Sequence, residues 1–161
     1  MINMFDKQYV FYGKHAKMVK RLTAKLSDEI NRGFFATNYD VYRLAPVIGW
    51  VYNRTADVDK SGNEETKIFA DKMKDERDDL LFNYRSLMLL KHKEEAKRMD
   101  IAFKLDYKEE ERKKYDKEYD QLVLGGVEEI YEHIFGEGDT IDDYVINYHE
   151  FLEELNVRLY K

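Results

Sequence analysis

Residues 115–131 read Tyr-Asp-Lys-Glu-Tyr-Asp-Gln-Leu-Val-Leu-Gly-Gly-Val-Glu-Glu-Ile-Tyr. Apolar side chains recur three and four positions apart in this stretch, which predicts an amphipathic helix from about Lys108 to Ile134. Gly125 and Gly126 interrupt the pattern, and a glycine pair inside a helix costs stability unless another backbone packs closely against it. The stretch therefore predicts a long helix that needs a close backbone neighbour at the glycine pair.

The same periodicity recurs along the rest of the chain. With only 8 Gly and 1 Pro among 161 residues, the chain lacks the turn residues that an all-β protein needs. We therefore predict an all-α fold, a single-domain bundle of five or six helices over residues 1–161. Further helical segments are predicted over about residues 14–26, 37–52, 64–92 and 140–159, with a solvated helical region over 91–118. The last of these helices is predicted to bury a single apolar stripe, formed by Ile141, Tyr144, Val145, Tyr148, Phe151, Leu152 and Leu155.

Two of these helices have recognisable starts. Thr37 with Asp40, and Thr140 with Asp143, are spaced like capping boxes, in which each side chain bonds the other residue's backbone N–H. Pro46 lies too far inside its helix to be a first-turn proline, so it predicts a kink or a delayed start.

Composition restricts the class of protein. The chain has 27 Lys and Arg against 33 Asp and Glu, a formal net charge of -6, and no Cys. The absence of Cys fits a reducing compartment. The longest apolar run, residues 45–52, is far too short for a membrane span, and the first residues do not resemble a signal peptide. We expect a soluble, cytoplasmic protein with no membrane partner.

Residues 7–25 contain six basic and no acidic side chains. One hypothesis is that this helix binds nucleic-acid phosphates. The other is that it pairs with the acidic helix at about 140–159, in the same chain or a neighbouring subunit. We favour pairing, because a nucleic-acid module is normally basic overall. The candidate phosphate-binding residues are Lys14, Lys17, Lys20, Arg21 and Lys25.

Residues 57–63 resemble the front half of a calcium-binding EF-hand loop, with oxygen-bearing side chains at alternate positions before a Gly. The twelfth position is Ile68 where such a loop needs a bidentate Glu. A simpler interpretation makes Ser61 and Glu64 a capping box for the following helix.

Catalytic patterns are missing from the sequence. The four histidines do not form a zinc-binding motif, and neither a phosphate-binding glycine loop nor a dinucleotide fingerprint occurs. We therefore predict no catalytic residues, no metal, no cofactor and no enzymatic activity. A metal-dependent enzyme is a distant alternative that rests on the 57–63 loop and the scattered histidines.

Large aromatic side chains cluster around the second helix, and six of them fall within residues 34–52. Core burial is the simplest role for most of them, yet six exceed what the inner face of one short helix can hide. Aromatic residues are also enriched in protein interfaces. The candidate partner-binding residues are Phe34, Phe35, Tyr39, Tyr42, Trp50 and Tyr52.

Residues 33–50 read Gly-Phe-Phe-Ala-Thr-Asn-Tyr-Asp-Val-Tyr-Arg-Leu-Ala-Pro-Val-Ile-Gly-Trp. This stretch resembles small helical accessory proteins of bacterial DNA-modification and anti-phage defence islands. In those proteins an aromatic-plus-Thr start leads into a short apolar helix that ends near Gly, before a charged loop. The chain departs from that pattern at Pro46, inside the helix. The resemblance implies an accessory subunit near DNA-acting machinery and carries over no site residues.

Our leading hypothesis is a non-enzymatic, helical interaction subunit of a bacterial assembly. Its partner is another protein or a second copy of the chain. Nucleic-acid binding through residues 7–25 is the alternative.

Overall fold

The computed structural model describes residues 4–104 and 109–160. Within these ranges, a short 3-10 turn at Met4–Asp6 precedes two strands and seven α-helices. The strands are β1 (Tyr9–Tyr12) and β2 (Glu65–Ile68). The helices are α1 (Gly13–Thr23), α2 (Asn38–Val51), α3 (Ala70–Asp75), α4 (Arg77–Lys91), α5 (Arg98–Phe103), α6 (Glu109–Phe135) and α7 (Ile141–Leu159).

Helices α2 and α6 cross in backbone contact at the centre of the fold. Gly126 lies against the carbonyl of Ala45 in α2, and Gly125 lies against Arg54, just after α2 ends. Gly49 of α2 faces the α6 backbone in turn. A Cβ carbon at any of these three glycines would overlap the opposite main chain. The close neighbour that the glycine pair predicts is therefore confirmed.

Both predicted capping boxes are confirmed. The Thr37 hydroxyl accepts a hydrogen bond from the Asp40 backbone N–H at 3.3 Å, and the Asp40 carboxylate accepts one from the Thr37 N–H at 3.0 Å. Thr140 and Asp143 make the same exchange at 3.2 and 3.1 Å. Helix α2 begins at Asn38 and runs through Pro46, so a delayed start is not observed.

Residues 65–68 form a strand, so the predicted start of a helix near residue 64 is wrong. Strand β2 pairs antiparallel with β1, with Tyr9 opposite Ile68 and Tyr12 opposite Glu65. Thr66 and Ile68 are β-branched, which favours a strand, but a segment of four residues carries too little periodicity to reveal one. The fold is therefore mostly helical, at 66% helix, with a small two-stranded sheet, and is not purely all-α.

One hydrophobic cluster extends from Phe5 near the amino terminus to Leu155 in α7. Phe5 packs edge-to-face on Tyr84 of α4 and Tyr119 of α6, with ring centroids 6.2 and 6.0 Å apart. The core thus joins the first residues to the α4 and α6 layers. Among the described helices, none combines the length and the apolar character that crossing a bilayer requires.

Candidate protein-interaction surface

Of the six aromatic residues predicted to bind a partner, two are buried, three are half-buried and one is exposed. Tyr39 and Tyr42 are only 4% and 0% exposed, so they belong to the core and cannot form part of an exposed patch. Burial raises the pKa of Tyr39 to about 12, which keeps its hydroxyl neutral. Trp50, at 37% exposed, is the most accessible of the six.

The remaining three aromatic residues pack against side chains of α7. Phe34 packs on Tyr148 with ring centroids 5.2 Å apart, and Phe35 approaches the same ring at 6.5 Å. Tyr52 packs on Phe151 at 6.1 Å. These contacts fix α7 on the turn before α2 and on the end of α2. The structure therefore does not assemble the six residues into one exposed patch.

The basic residues of α1 and of the segment just after it are largely paired within the chain. None of the three carboxylates that bind their lysines belongs to residues 140–159, so the favoured pairing with that helix is wrong within the chain itself. Lys17 is exposed. The hydrogen bond from Lys20 lowers the pKa of Glu64. The pairs are Lys14–Glu128 at 2.6 Å, Lys20–Glu64 at 2.6 Å and Lys25–Asp28 at 3.0 Å.

Arg21 makes a different kind of contact, with aromatic rings of α6 and α7. Its guanidinium lies 4.0 Å from the centroid of the Phe135 ring. It donates to the Tyr131 hydroxyl at 2.8 Å and to the Tyr144 hydroxyl at 3.3 Å. Arg21 therefore fastens α1 to the last turn of α6 and the first turn of α7.

The carboxylates of the calcium-like loop, residues 57–63, accept hydrogen bonds from other groups of the protein. Asp59 accepts hydrogen bonds from the Lys14 backbone N–H at 2.9 Å and from the Ser61 hydroxyl at 2.6 Å. These bonds hold the pKa of Asp59 well below its usual range. Asp57 accepts from Gln121 at 2.8 Å. The predicted capping role of Ser61 is wrong, because a strand follows. Across residues 4–104 and 109–160, no three His or acidic side chains are grouped to hold a metal ion.

A buried ionic cluster lies where α1 meets α6. Glu128, 7% exposed, is 2.6 Å from the Lys14 ammonium and 3.3 Å from the Arg54 guanidinium. The imidazole of His15, 1% exposed, approaches Glu128 at 3.3 Å. Burial lowers the pKa of His15, so this ring is neutral at pH 7 and the contact is not an ion pair. Two cations therefore neutralise the one buried carboxylate, and the cluster stabilises the contact between α1 and α6.

Helix α7 packs on α6 with one side and leaves an apolar side exposed. Val145, Leu152 and Leu159 are 46%, 41% and 50% exposed and recur every seven residues, so they form one line. Ile146 and Val157, 56% and 55% exposed, form a second line about three turns long. We call these five side chains the α7 outer face. The expectation that Val145 and Leu152 are buried is wrong.

An acidic cleft of about 290 Å³ runs between α6 and α7 beside this face. Arg54 donates to Glu132 at 2.8 Å, which lowers the pKa of that carboxyl. Arg158 bonds Glu154 at 3.0 Å. The cleft nevertheless has more carboxylates than cations, so this side of the protein is negative. Its lining residues are Glu129, Glu132, His133, Glu137, Asn147, Glu150, Phe151 and Glu154.

The α7 outer face was not predicted, although the sequence contains a signal for it. Ile146, Val157 and Leu159 lie outside the single apolar stripe predicted for this helix, and a helix with apolar residues on two sides has more of them than one neighbour can cover. Which of those sides faces the core depends on how α7 sits on α6, and periodicity does not specify that orientation.

Comparison of the chain with protein-family models, with curated proteins and with solved structures finds no match. The function has to be inferred from the geometry of the residues described above.

Proposed function

We propose that this chain is a non-enzymatic interaction subunit whose α7 outer face binds a helix of a partner. The observation that carries the proposal is the exposure of Val145, Leu152 and Leu159 at seven-residue intervals. With Tyr148 and Leu155 between them, they continue the three-four spacing of a helix-pairing seam. Tyr148 and Leu155 contact the protein's own core, whereas the outer three side chains face solvent and can receive a second helix.

Charge indicates what kind of helix fits. Glu153 lies between the two apolar lines of the α7 outer face, and Glu150 borders the acidic cleft. A partner rich in Asp or Glu would be repelled, whereas Lys or Arg beside an apolar stripe would meet opposite charge. The expected partner is therefore an amphipathic helix with leucine-like residues on its inner side and basic residues at its edges.

An accessory subunit of this kind acts by holding proteins together and needs no catalytic group. The resemblance of residues 33–50 to accessory proteins of bacterial DNA-modification and anti-phage islands implies that this subunit acts near DNA-acting machinery.

A designed peptide tests the proposal directly. The probe is a dye-labelled helix of about three heptads, with Leu at the a and d positions and Lys at the e and g positions. Its fluorescence anisotropy is followed as the full-length protein is added. We expect saturable binding that weakens as salt rises, and a loss of affinity of about tenfold or more in Leu152→Asp, because that change puts a charge in the centre of the seam.

Two controls separate recognition from general attraction between opposite charges. Phe69→Asp also places a carboxylate at a highly exposed apolar position, 70% exposed, but between β2 and α3. We expect it to bind the peptide like the wild type. A peptide of the same composition with its leucines scattered around the helix should bind poorly. Equal binding of both peptides, or full affinity in Leu152→Asp, would refute the proposal.

A further inference from the structure

We infer that the partner of the α7 outer face is a second copy of this chain, which presents the surface formed by α4 and α5. This inference rests on the proposed binding by α7 and names its partner. It predicts a head-to-tail contact, in which two different surfaces of the same chain meet.

The α4–α5 surface has the apolar character that a partner of α7 requires. A groove of about 440 Å³ runs between the two helices, and Phe82, Leu89 and Phe103 contribute apolar walls. Phe82 and Phe103 are 71% and 48% exposed, and the neighbouring Met99 is 56% exposed. Side chains of this size rarely lie so open and so close together on a surface that contacts only water.

The charges of the two surfaces are opposite. Residues 85–104 contain six basic side chains against three acidic ones. Helix α7 contains five carboxylates and one arginine. Arg85 lies over the ring of Phe103 at 5.2 Å, so a cation borders the groove itself. Asp78 is the acidic exception in the groove lining.

A single chain cannot join its own two surfaces, because they lie at opposite ends of α6. Tyr84 of α4 donates to Asp116 near the start of α6 at 3.2 Å. Tyr144 of α7 packs on Phe135, the last residue of α6, with ring centroids 4.9 Å apart. Asp116 and Phe135 are 19 positions apart on α6, which corresponds to about 28 Å of helix. A second copy can bridge that separation, and pairing α7 with another α7 would instead oppose two acidic helices.

Association of the full-length chain tests the inference. Light scattering after size exclusion should give a mass above the monomer value of 19.4 kDa that rises with protein concentration. The mass should fall as salt increases, because opposite charges contribute to the contact. Leu152→Asp on α7 and Phe82→Asp on α4 should each remain monomeric. Both replaced side chains are exposed, so circular dichroism should show that each variant keeps its helical content.

Mixing the two variants gives the decisive result. Each variant retains the surface that the other has lost, so a head-to-tail contact predicts that an equimolar mixture forms a dimer and stops there. Phe69→Asp, altered outside both surfaces, should associate like the wild type. A mixture that stays monomeric, or a Phe82→Asp variant that associates normally, would overturn the inference.

The peptide experiment distinguishes this inference from the function on which it rests. If the wild-type chain is monomeric at every concentration but still binds the Leu/Lys peptide, then the second copy is not the partner and the proposed function stands. If it neither associates nor binds the peptide, both are wrong.

Discussion

Gly126 of α6 lies so close to the carbonyl oxygen of Ala45 in α2 that a single added carbon would overlap it. The two helices therefore meet main chain to main chain at this point. Core side chains such as Tyr42 and Tyr119 then fill the space around the crossing. Since α6 also carries α4 at one end and α7 at the other, the position of both proposed interaction surfaces depends on this contact.

Replacing Gly126 with Ala should destabilise the protein by about 3 kcal/mol, because the methyl group can be accommodated only if two helices move apart. Urea unfolding followed by circular dichroism measures the loss. Gly62→Ala is the matched control, since Gly62 has φ of +75° but nothing within 4 Å of a Cβ. It should cost only about 1 kcal/mol, from backbone strain. Equal losses in the two variants would contradict the close approach at Gly126.

The central crossing was predictable because its signal is local. A glycine pair in a long amphipathic pattern has few explanations, and capping boxes such as Thr37 with Asp40 are contained within four residues. The strand Glu65–Ile68 was not predictable in the same way. Its partner lies more than fifty residues earlier, at Tyr9–Tyr12, and only that pairing distinguishes it from the start of a helix.

The candidate surface was even less predictable, because burial also depends on residues that are distant in the sequence. The aromatic residues around α2 have the composition of an interface, yet Tyr39 and Tyr42 are buried because α2 is covered by α6 and its neighbours. Conversely, Val145 and Leu152 fit a buried stripe but are exposed because α7 has a neighbour on one side only. Composition identifies the apolar side chains whose burial is favourable. Only the tertiary arrangement decides whether the chain itself buries them or leaves them exposed.

Removing Arg54 should destabilise the contact between α1 and α6. Its guanidinium is 3.3 Å from Glu128, whose side chain is only 9% exposed, and loss of this cation leaves a mostly buried carboxylate with Lys14 as its remaining partner. We expect Arg54→Ala to cost about 1–3 kcal/mol in urea unfolding. Glu132→Gln, which removes a 56% exposed partner of the same arginine, should cost less than about 1 kcal/mol. A reversed order would show that Glu128 does not depend on Arg54.

The buried His15 should make stability depend on pH. Burial lowers the pKa of His15 in the folded protein, whereas in the unfolded chain it returns to about 6.5. Below that pH the unfolded state binds a proton that the folded state resists. Stability should therefore fall as pH drops from about 7 toward 5, by at most about 1.4 kcal/mol per pH unit from this residue.

Urea unfolding of His15→Gln and of the wild type at both ends of that pH range isolates the contribution. Between pH 7 and pH 5, the free energy of unfolding should decrease much less in His15→Gln than in the wild type, whatever its value at pH 7. Its control is His149→Gln, since that ring is 72% exposed, and this change should leave the fall as it is in the wild type. An unchanged pH dependence in His15→Gln would show that the ring is not held neutral by burial.

The basic segment of residues 7–25 provides a test of nucleic-acid binding. Lys14, Lys20 and Lys25 each have a carboxylate partner in the chain, and Arg21 is engaged with aromatic rings. A phosphate would have to displace these partners, so we expect retention of labelled duplex DNA or single-stranded RNA at background level for micromolar protein at low salt. Lys17→Ala should then change neither retention nor stability, because Lys17 is exposed.

Arg21→Ala should behave differently from Lys17→Ala. It removes contacts with Phe135, Tyr131 and Tyr144, so it should lower the free energy of unfolding by about 1 kcal/mol while nucleic-acid retention stays at background. If α1 does bind phosphates, both variants should instead reduce retention, and the slope of binding against salt should fall by about one phosphate contact for each. Salt-sensitive retention by the wild type that is lost in Lys17→Ala would therefore establish the nucleic-acid role. Lys17 is the decisive position, since an effect at Arg21 alone is explained by the loosening of α1 from α6 and α7.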